Sequence, residues 1–277
     1  LVICMPGNAD NDAFDVARDI KGKFPNIHCV VLTPFSHGIT KRMQNEDLSI
    51  FDYVFCWLGN TNLILSIIKL IEDKMNLEHD IQEAGVQMIL LVEDSIRFYS
   101  SILPNLYNYI LEQSKNFSQE ALNRHAATMR MRGRPKVVLA RTYEEAQKLY
   151  DKYSDNTLGV ISDARFPLKS AAKAFGNEVM PEEKPKHRTD TFGREKCPDA
   201  GLQLFRYIRK NDPFVPLIIE SSESENRAKA EAEGFRFVDK NSKKMSVDLR
   251  RLMEEHMGFG DFIFRDPKTH EEIMRIH

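Results

Sequence analysis

The chain has 277 residues, 42% hydrophobic and 29% charged, with a formal net charge of -2, an ordinary balance for a globular protein of one or two domains. So small a net charge supplies no global field for nucleic acid or a membrane surface. No run of about 18 apolar residues offers a spanning helix, and no signal peptide is visible. In chain order, short β-rich runs alternate with helical patterns. Strands are predicted at residues 1–4, 28–33, 53–57, 88–92, 136–140, 158–162, 215–219 and 235–238. Most are near-continuous apolar runs, as expected for strands covered on both faces. Helices are predicted at 13–24, 62–83, 96–114, 143–153, 200–210, 225–233 and 247–256. The alternation predicts an α/β fold with an open parallel sheet and crossover helices.

Several segments carry more than periodicity. Leu63, Ile67, Leu70, Ile71 and Met75 recur at helical spacing, so 62–86 reads as a helix closing a first unit and connecting it to a second. Pro104 is expected to kink or split the helix at 96–114. Residues 123–136, with Arg124, Arg130, Arg132, Arg134 and Lys136, read as a solvated loop; no aromatic interleaving or recognition helix supports nucleic-acid binding there. Residues 168–198 are polar and aperiodic and read as a mobile surface insertion. Leu1 sits inside an apolar run, which reads as a chain cut at its N-terminus. Cys4, Cys29, Cys56 and Cys197 lack metal-ligand spacing, and three lie in strand-like runs, so they read as buried thiols of a reducing cytoplasm.

In an open α/β sheet, ligands bind beyond the carboxyl ends of the strands. In the second unit those ends carry Glu93-Asp94-Ser95, Asp163-Ala164-Arg165, Glu220-Ser221-Ser222 and Asp239-Lys240. Glu93, Asp94 and Asp163 are hard oxygen donors of the kind Mg²⁺ prefers. Asp163 has the chemistry of a carboxylate nucleophile towards phosphorus. Ser221 offers a hydrogen bond to a phosphoryl oxygen, and Lys240 an ion pair to Asp163 and then to the phosphoryl group. With only Lys240 expected nearby, like charges in the cluster should raise at least one carboxyl pKa.

The segments ILLVEDS, GVISDARFP, PLIIESS and FVDK resemble the four signature segments of response-regulator receiver (CheY-like) domains. Asp163 to Pro167 matches the family's Asp-x-x-x-Pro pattern, and Asp199-Ala200-Gly201 its Asp-Gly-type helix start. The resemblance implies a flavodoxin-like, doubly wound parallel five-stranded sheet. It also implies Mg²⁺-dependent phosphorylation of Asp163 by a histidine kinase or phosphotransfer protein. By position it makes Glu93, Asp94, Asp163 and the Arg165 backbone carbonyl the metal set, and Ser221, Lys240 and Phe237 the switch residues. Asn241 departs from the family's proline after the lysine, which puts the usual cis bond there in question.

The first unit resembles only the second half of such a domain, with Thr33 at the hydroxyl position and Cys56 at the lysine position. Met5 or, in another register, Val2 stands where the acceptor belongs. The expected organisation is a degenerate half-receiver at 1–61, a connector at 62–86, a receiver at 87–257 with its insertion at 168–198, and an extension at 258–277 leading to an output module. This layout is similar to the region ahead of phosphoenolpyruvate synthase or pyruvate phosphate dikinase-type enzymes. It implies a phosphoacceptor rather than an enzyme, and is compatible with a homodimer. The rival reading is a scaffold that is not phosphorylated. A haloacid-dehalogenase-type phosphatase is disfavoured because Arg165 occupies the place of its second aspartate.

Overall fold

The computed structural model describes residues 1–6, 12–34, 50–169, 189–190, 193–258, 262–266, 268–269 and 272–276. Two parallel sheets carry the fold. The smaller contains β1 (Val2–Cys4), β2 (Cys29–Pro34) and β3 (Tyr53–Trp57) in that order, with β1 at an edge. Helix α1 (Ala13–Lys23) links β1 to β2, and α2 (Asn62–Ala84) follows β3.

The larger sheet contains β4 (Met88–Val92), β5 (Lys136–Ala140), β6 (Thr157–Asp163), β9 (Leu217–Ser221) and β10 (Arg236–Asp239). Its spatial order is β10-β9-β6-β4-β5, and every pairing is parallel. Numbered within this unit the order is 2-1-3-4-5, the doubly wound, flavodoxin-like (CheY-like) topology. The crossovers are α3 (Ile96–Gln119), α5 (Tyr143–Tyr153), α6 (Ala200–Asn211) and α7 (Glu225–Ala232), and α8 (Met245–His256) closes the sheet. Two-residue strands β7 (Phe166–Pro167) and β8 (Lys196–Cys197) pair antiparallel beside the loop that follows β6. A hairpin of β11 (Phe262–Arg265) and β12 (Glu272–Ile276) follows α8.

Strand alternation explains the two cores. Ile89, Leu91, Ile161, Ile218 and Val238 point to one face and pack with α3 and α8. Leu90, Val92, Val160, Leu217 and Ile219 point to the other, against α5 and α6. Helix α3 also packs on the small sheet. Phe55 and Tyr99 meet edge-on at 5.3 Å, the Tyr99 hydroxyl donates to the Val54 carbonyl, and Cys56 N donates to Ser100 Oγ at 2.9 Å.

Three local expectations are corrected. Pro104 does not split α3, which runs unbroken to Gln119; burial on both sides outweighs one lost backbone bond. Residues 124–132 form helix α4 (Arg124–Arg132) rather than a loop. Asn123 Oδ1 accepts from Ala126 N at 2.8 Å, and the Arg130 guanidinium lies 4.2 Å from the Phe117 ring centre and donates to the Phe117 carbonyl. Arg134 and Lys136, expected in solvent, are buried on Asp73 of α2. That carboxylate also accepts from Tyr107 and from Val137 N, both at 2.9 Å.

Candidate functional site

Strands β4, β6, β9 and β10 end side by side, so their C-terminal residues share one sheet edge. The close approach of α6 holds that edge. A side chain at Gly201 would place its Cβ 2.2 Å from the Asp163 carbonyl oxygen, so only glycine fits there. Gly201 N instead donates to the Ala164 carbonyl at 3.1 Å.

Glu93, Asp94 and Asp163 converge, with one oxygen from each lying within 4.8 Å of the others. Glu93 and Asp94 are fully buried, and the Asp163 side chain is 13% exposed. Lys240 Nζ pairs with Glu93 Oε2 and lies 3.0 Å from Asp163 Oδ1. Asp163 Oδ1 also accepts from Ala164 N at 2.7 Å; Oδ2 has no hydrogen bond or ion pair among the described residues. Ser221 Oγ accepts from Asn226 Nδ2 at 2.9 Å and Glu223 N at 3.0 Å. Phe237 is half-buried, with the Arg227 guanidinium 4.6 Å from its ring centre. Arg165 turns its side chain outward to Glu223 at 3.1 Å. The Lys240–Asn241 peptide is trans.

Burial governs the electrostatics. It raises Glu93 to about 8 against the opposing charge of Lys240, with Asp163 and Asp94 adding to the rise. It raises Asp94 to about 6, opposed by Lys196 and assisted by Asp163. Burial pulls Lys240 down, but the charges of Asp163, Glu93 and Glu220 outweigh it and hold the ammonium above the ordinary lysine value. The cluster is rich in negative charge, and the chemistry of its donors fits a hard divalent cation. Asp94 Oδ1 is buried with no hydrogen bond or ion pair among the described residues, as an open ligand atom would be.

Two participants were missed in the sequence. Lys196 Nζ lies 2.7 Å from Asp94 Oδ2, so Lys240 is not the only neutralising cation. Lys196 belongs to the segment expected to be mobile. Residues 189–190 and 193–198 are instead tied to the sheet edge, through β8 and the buried Arg194–Asp190 pair, while 170–188 lie outside the described residues. An isolated lysine in a polar run gives no periodic signal. Glu220 is the second. It is fully buried, neither oxygen has a hydrogen bond among the described residues, and burial raises it to about 7 against the charge of Lys240, with Asp163 adding to the rise. Its charge beside Ser221 inside an apolar strand was the available signal.

The small sheet lacks this chemistry. In the large sheet Asp163 pairs with Glu220, and Ser221 with Asp239, one residue before Lys240. In the small sheet Cys4 pairs with Val31 and Thr33 with Cys56. Aligned on Thr33 and Ser221, the two registers set Met5 beside Asp163 and Trp57 beside Lys240, so no carboxylate or ammonium stands at either place in the small sheet.

No family model matches the chain, and no curated protein does. Among solved structures, a response regulator receiver domain protein from Clostridium thermocellum aligns with 62% of this chain and 94% of its own, at 18% identity and a TM-score of 0.35. The fold assignment rests on the strand order and parallel register of the large sheet. Among the described residues no helix is long and apolar enough to cross a membrane.

Proposed function

We propose that residues 87–257 are a Mg²⁺-dependent phosphoacceptor module of cytoplasmic two-component signalling, with Asp163 as the acceptor. The observation that carries this reading is the convergence of Glu93, Asp94, Asp163 and Lys240 at one sheet edge. Glu93, Asp94, Asp163 and the Arg165 backbone carbonyl would hold the ion. When bound, Mg²⁺ offsets charge on phosphoryl oxygens. Asp163 Oδ2, left free by the contacts on Oδ1, forms the new oxygen–phosphorus bond. The nitrogen–phosphorus bond of a phosphohistidine on a histidine kinase or phosphotransfer protein breaks, and its imidazole keeps the electron pair. Lys240, 3.0 Å from Asp163, is placed to neutralise the phosphoryl group. Ser221 already accepts two hydrogen bonds, so its own proton remains to be donated. Phe237 is the aromatic whose environment responds.

The phosphorylated state biases an equilibrium that an output module reads, in the same polypeptide or a partner. In this reading residues 1–61 are a degenerate half-receiver, 258–277 an extension towards the output, and the output a phosphoenolpyruvate synthase-type enzyme. In this reading the chain is a phosphoacceptor, not a catalyst. One observation favours a second reading, a scaffold that is never phosphorylated: Asp94 is already ion-paired with Lys196.

Beryllofluoride with Mg²⁺, followed by amide NMR, separates the two. The phosphoacceptor reading expects shifts around Asp163, Ser221 and Lys240 in the parent and none in Asp163→Asn. A silent parent, or an equal response in both proteins, refutes it and leaves the scaffold.

A further inference from the structure

The chain returns to the sheet edge after its insertion as a short, well-tied arm. Asp190 accepts from Arg194 N at 2.8 Å and from Arg194 Nε at 2.6 Å, Thr189 bridges to Glu195, and Gly193 makes the turn at φ 72°. Lys196–Cys197 then pairs with Phe166–Pro167, immediately beyond the Asp163 loop. This pairing delivers the Lys196 ammonium to Asp94.

The contact has two unusual properties. The Lys196 side chain is 16% exposed and that of Asp94 is fully buried, so the pair is screened far less than a surface ion pair. Yet Asp94 Oδ1 has no hydrogen bond or ion pair among the described residues. The ammonium meets Oδ2 alone, at 2.7 Å. It neutralises the carboxylate and leaves its coordination incomplete, whereas a divalent cation would do both. Lys240 cannot swing aside in the same way, because its side chain is 1% exposed between Glu93 and Asp163. Lys196 sits on a two-residue strand, and its flexible stem can carry the charge out into water.

Resting on the reading of this edge as a divalent-cation site, we infer that Lys196 is a built-in competitor for Asp94. It sets the metal affinity of the site, and the ion displaces it from Asp94 on binding. An opposite charge at this range changes a carboxylate's affinity for a proton by about one to three decades, and a metal cation meets the same field.

The test is Mn²⁺ titration of the full chain at neutral pH, with free Mn²⁺ read by electron paramagnetic resonance and Mg²⁺ used to displace it. Lys196→Gln is expected to bind Mn²⁺ at least about tenfold more tightly than the parent, and Lys196→Arg to stay close to the parent. A second readout does not depend on any variant folding: amine acylation mapped by mass spectrometry should label Lys196 faster when Mg²⁺ is saturating. Equal affinities in the parent and Lys196→Gln would overturn the inference. So would saturating Mg²⁺ that leaves Lys196 acylation unchanged. If the parent and Lys196→Gln both fail to bind Mn²⁺, the cation-site reading beneath the inference falls instead.

Discussion

The molecule contains two parallel sheets that differ in chemistry at the carboxyl edge. At the ends of β6, β9 and β10 stand Asp163, Ser221 and, one residue beyond the strand, Lys240; at the ends of β1, β2 and β3 stand Cys4-Met5, Thr33-Pro34 and Trp57. The backbone arrangement depends on apolar runs buried on both faces, and these are present in both sheets. The chemistry depends on a few edge residues that contribute little to those runs. A parallel sheet can therefore form with or without charged chemistry at its carboxyl edge.

The buried carboxylates divide along the same line, which gives the largest expected effect. Asp73, on the helix that follows the small sheet, is satisfied by Arg134, Tyr107 and Val137 N. Asp94, on the site edge, has an ion pair on Oδ2 and no hydrogen bond or ion pair on Oδ1 among the described residues. Asp73→Ala takes the close partner from the buried Arg134 guanidinium and is expected to cost about 3–5 kcal/mol in urea melts. Asp94→Ala removes a strained charge and should cost far less. Equal losses would erase the distinction between a structural and a ligating carboxylate.

Next in size is Glu220, whose register counterpart in the small sheet is Leu32. Its folded pKa is raised from 4.5 to about 7, with burial as the main cause. Between those values the folded protein holds more protons than the unfolded chain, so stability falls as pH rises through that window. In metal-free buffer at pH 8, Glu220→Gln should therefore be more stable than the parent by up to about 3 kcal/mol. The gain should vanish near pH 4. Paired melts at the two pH values check this, and a gain that is independent of pH would count against a charged, buried Glu220.

Glycines give a smaller contrast of opposite sign. Gly201→Ala drives a methyl group into the Asp163 carbonyl and should destabilise by roughly 1–3 kcal/mol. Gly22→Ala, in α1 beside the small sheet, meets no atom within 4 Å and should stabilise by about 0.5 kcal/mol. Thermal melts of the two variants should move in opposite directions.

Much of this was legible in the sequence, for identifiable reasons. The strands of the large sheet are continuous apolar runs, and their ends announced Glu93, Asp94, Asp163 and Lys240 together. The β9 boundary slipped by two residues, because Val215 and Pro216 extend the apolar run without entering the strand. Helix α4 was hidden because most of its described residues are exposed, and its cap and the contacts of Arg130 with Phe117 leave no apolar period. Arg134 and Lys136 looked solvated because their partner Asp73 lies some sixty positions earlier in the chain. Lys196 was illegible for the same reason: long-range ion pairs leave no period in a sequence.

The central claim is that one sheet edge is built to accept a phosphoryl group and the other is not. The most direct measurement is to treat the full chain with acetyl phosphate and Mg²⁺, trap the acyl phosphate by borohydride reduction, and map it by peptide mass spectrometry. The account predicts a mark on Asp163, none on residues 1–57, and loss of the mark in Asp163→Asn. A mark in the small sheet, or an unmarked Asp163 in a protein shown to bind Mg²⁺, would contradict it.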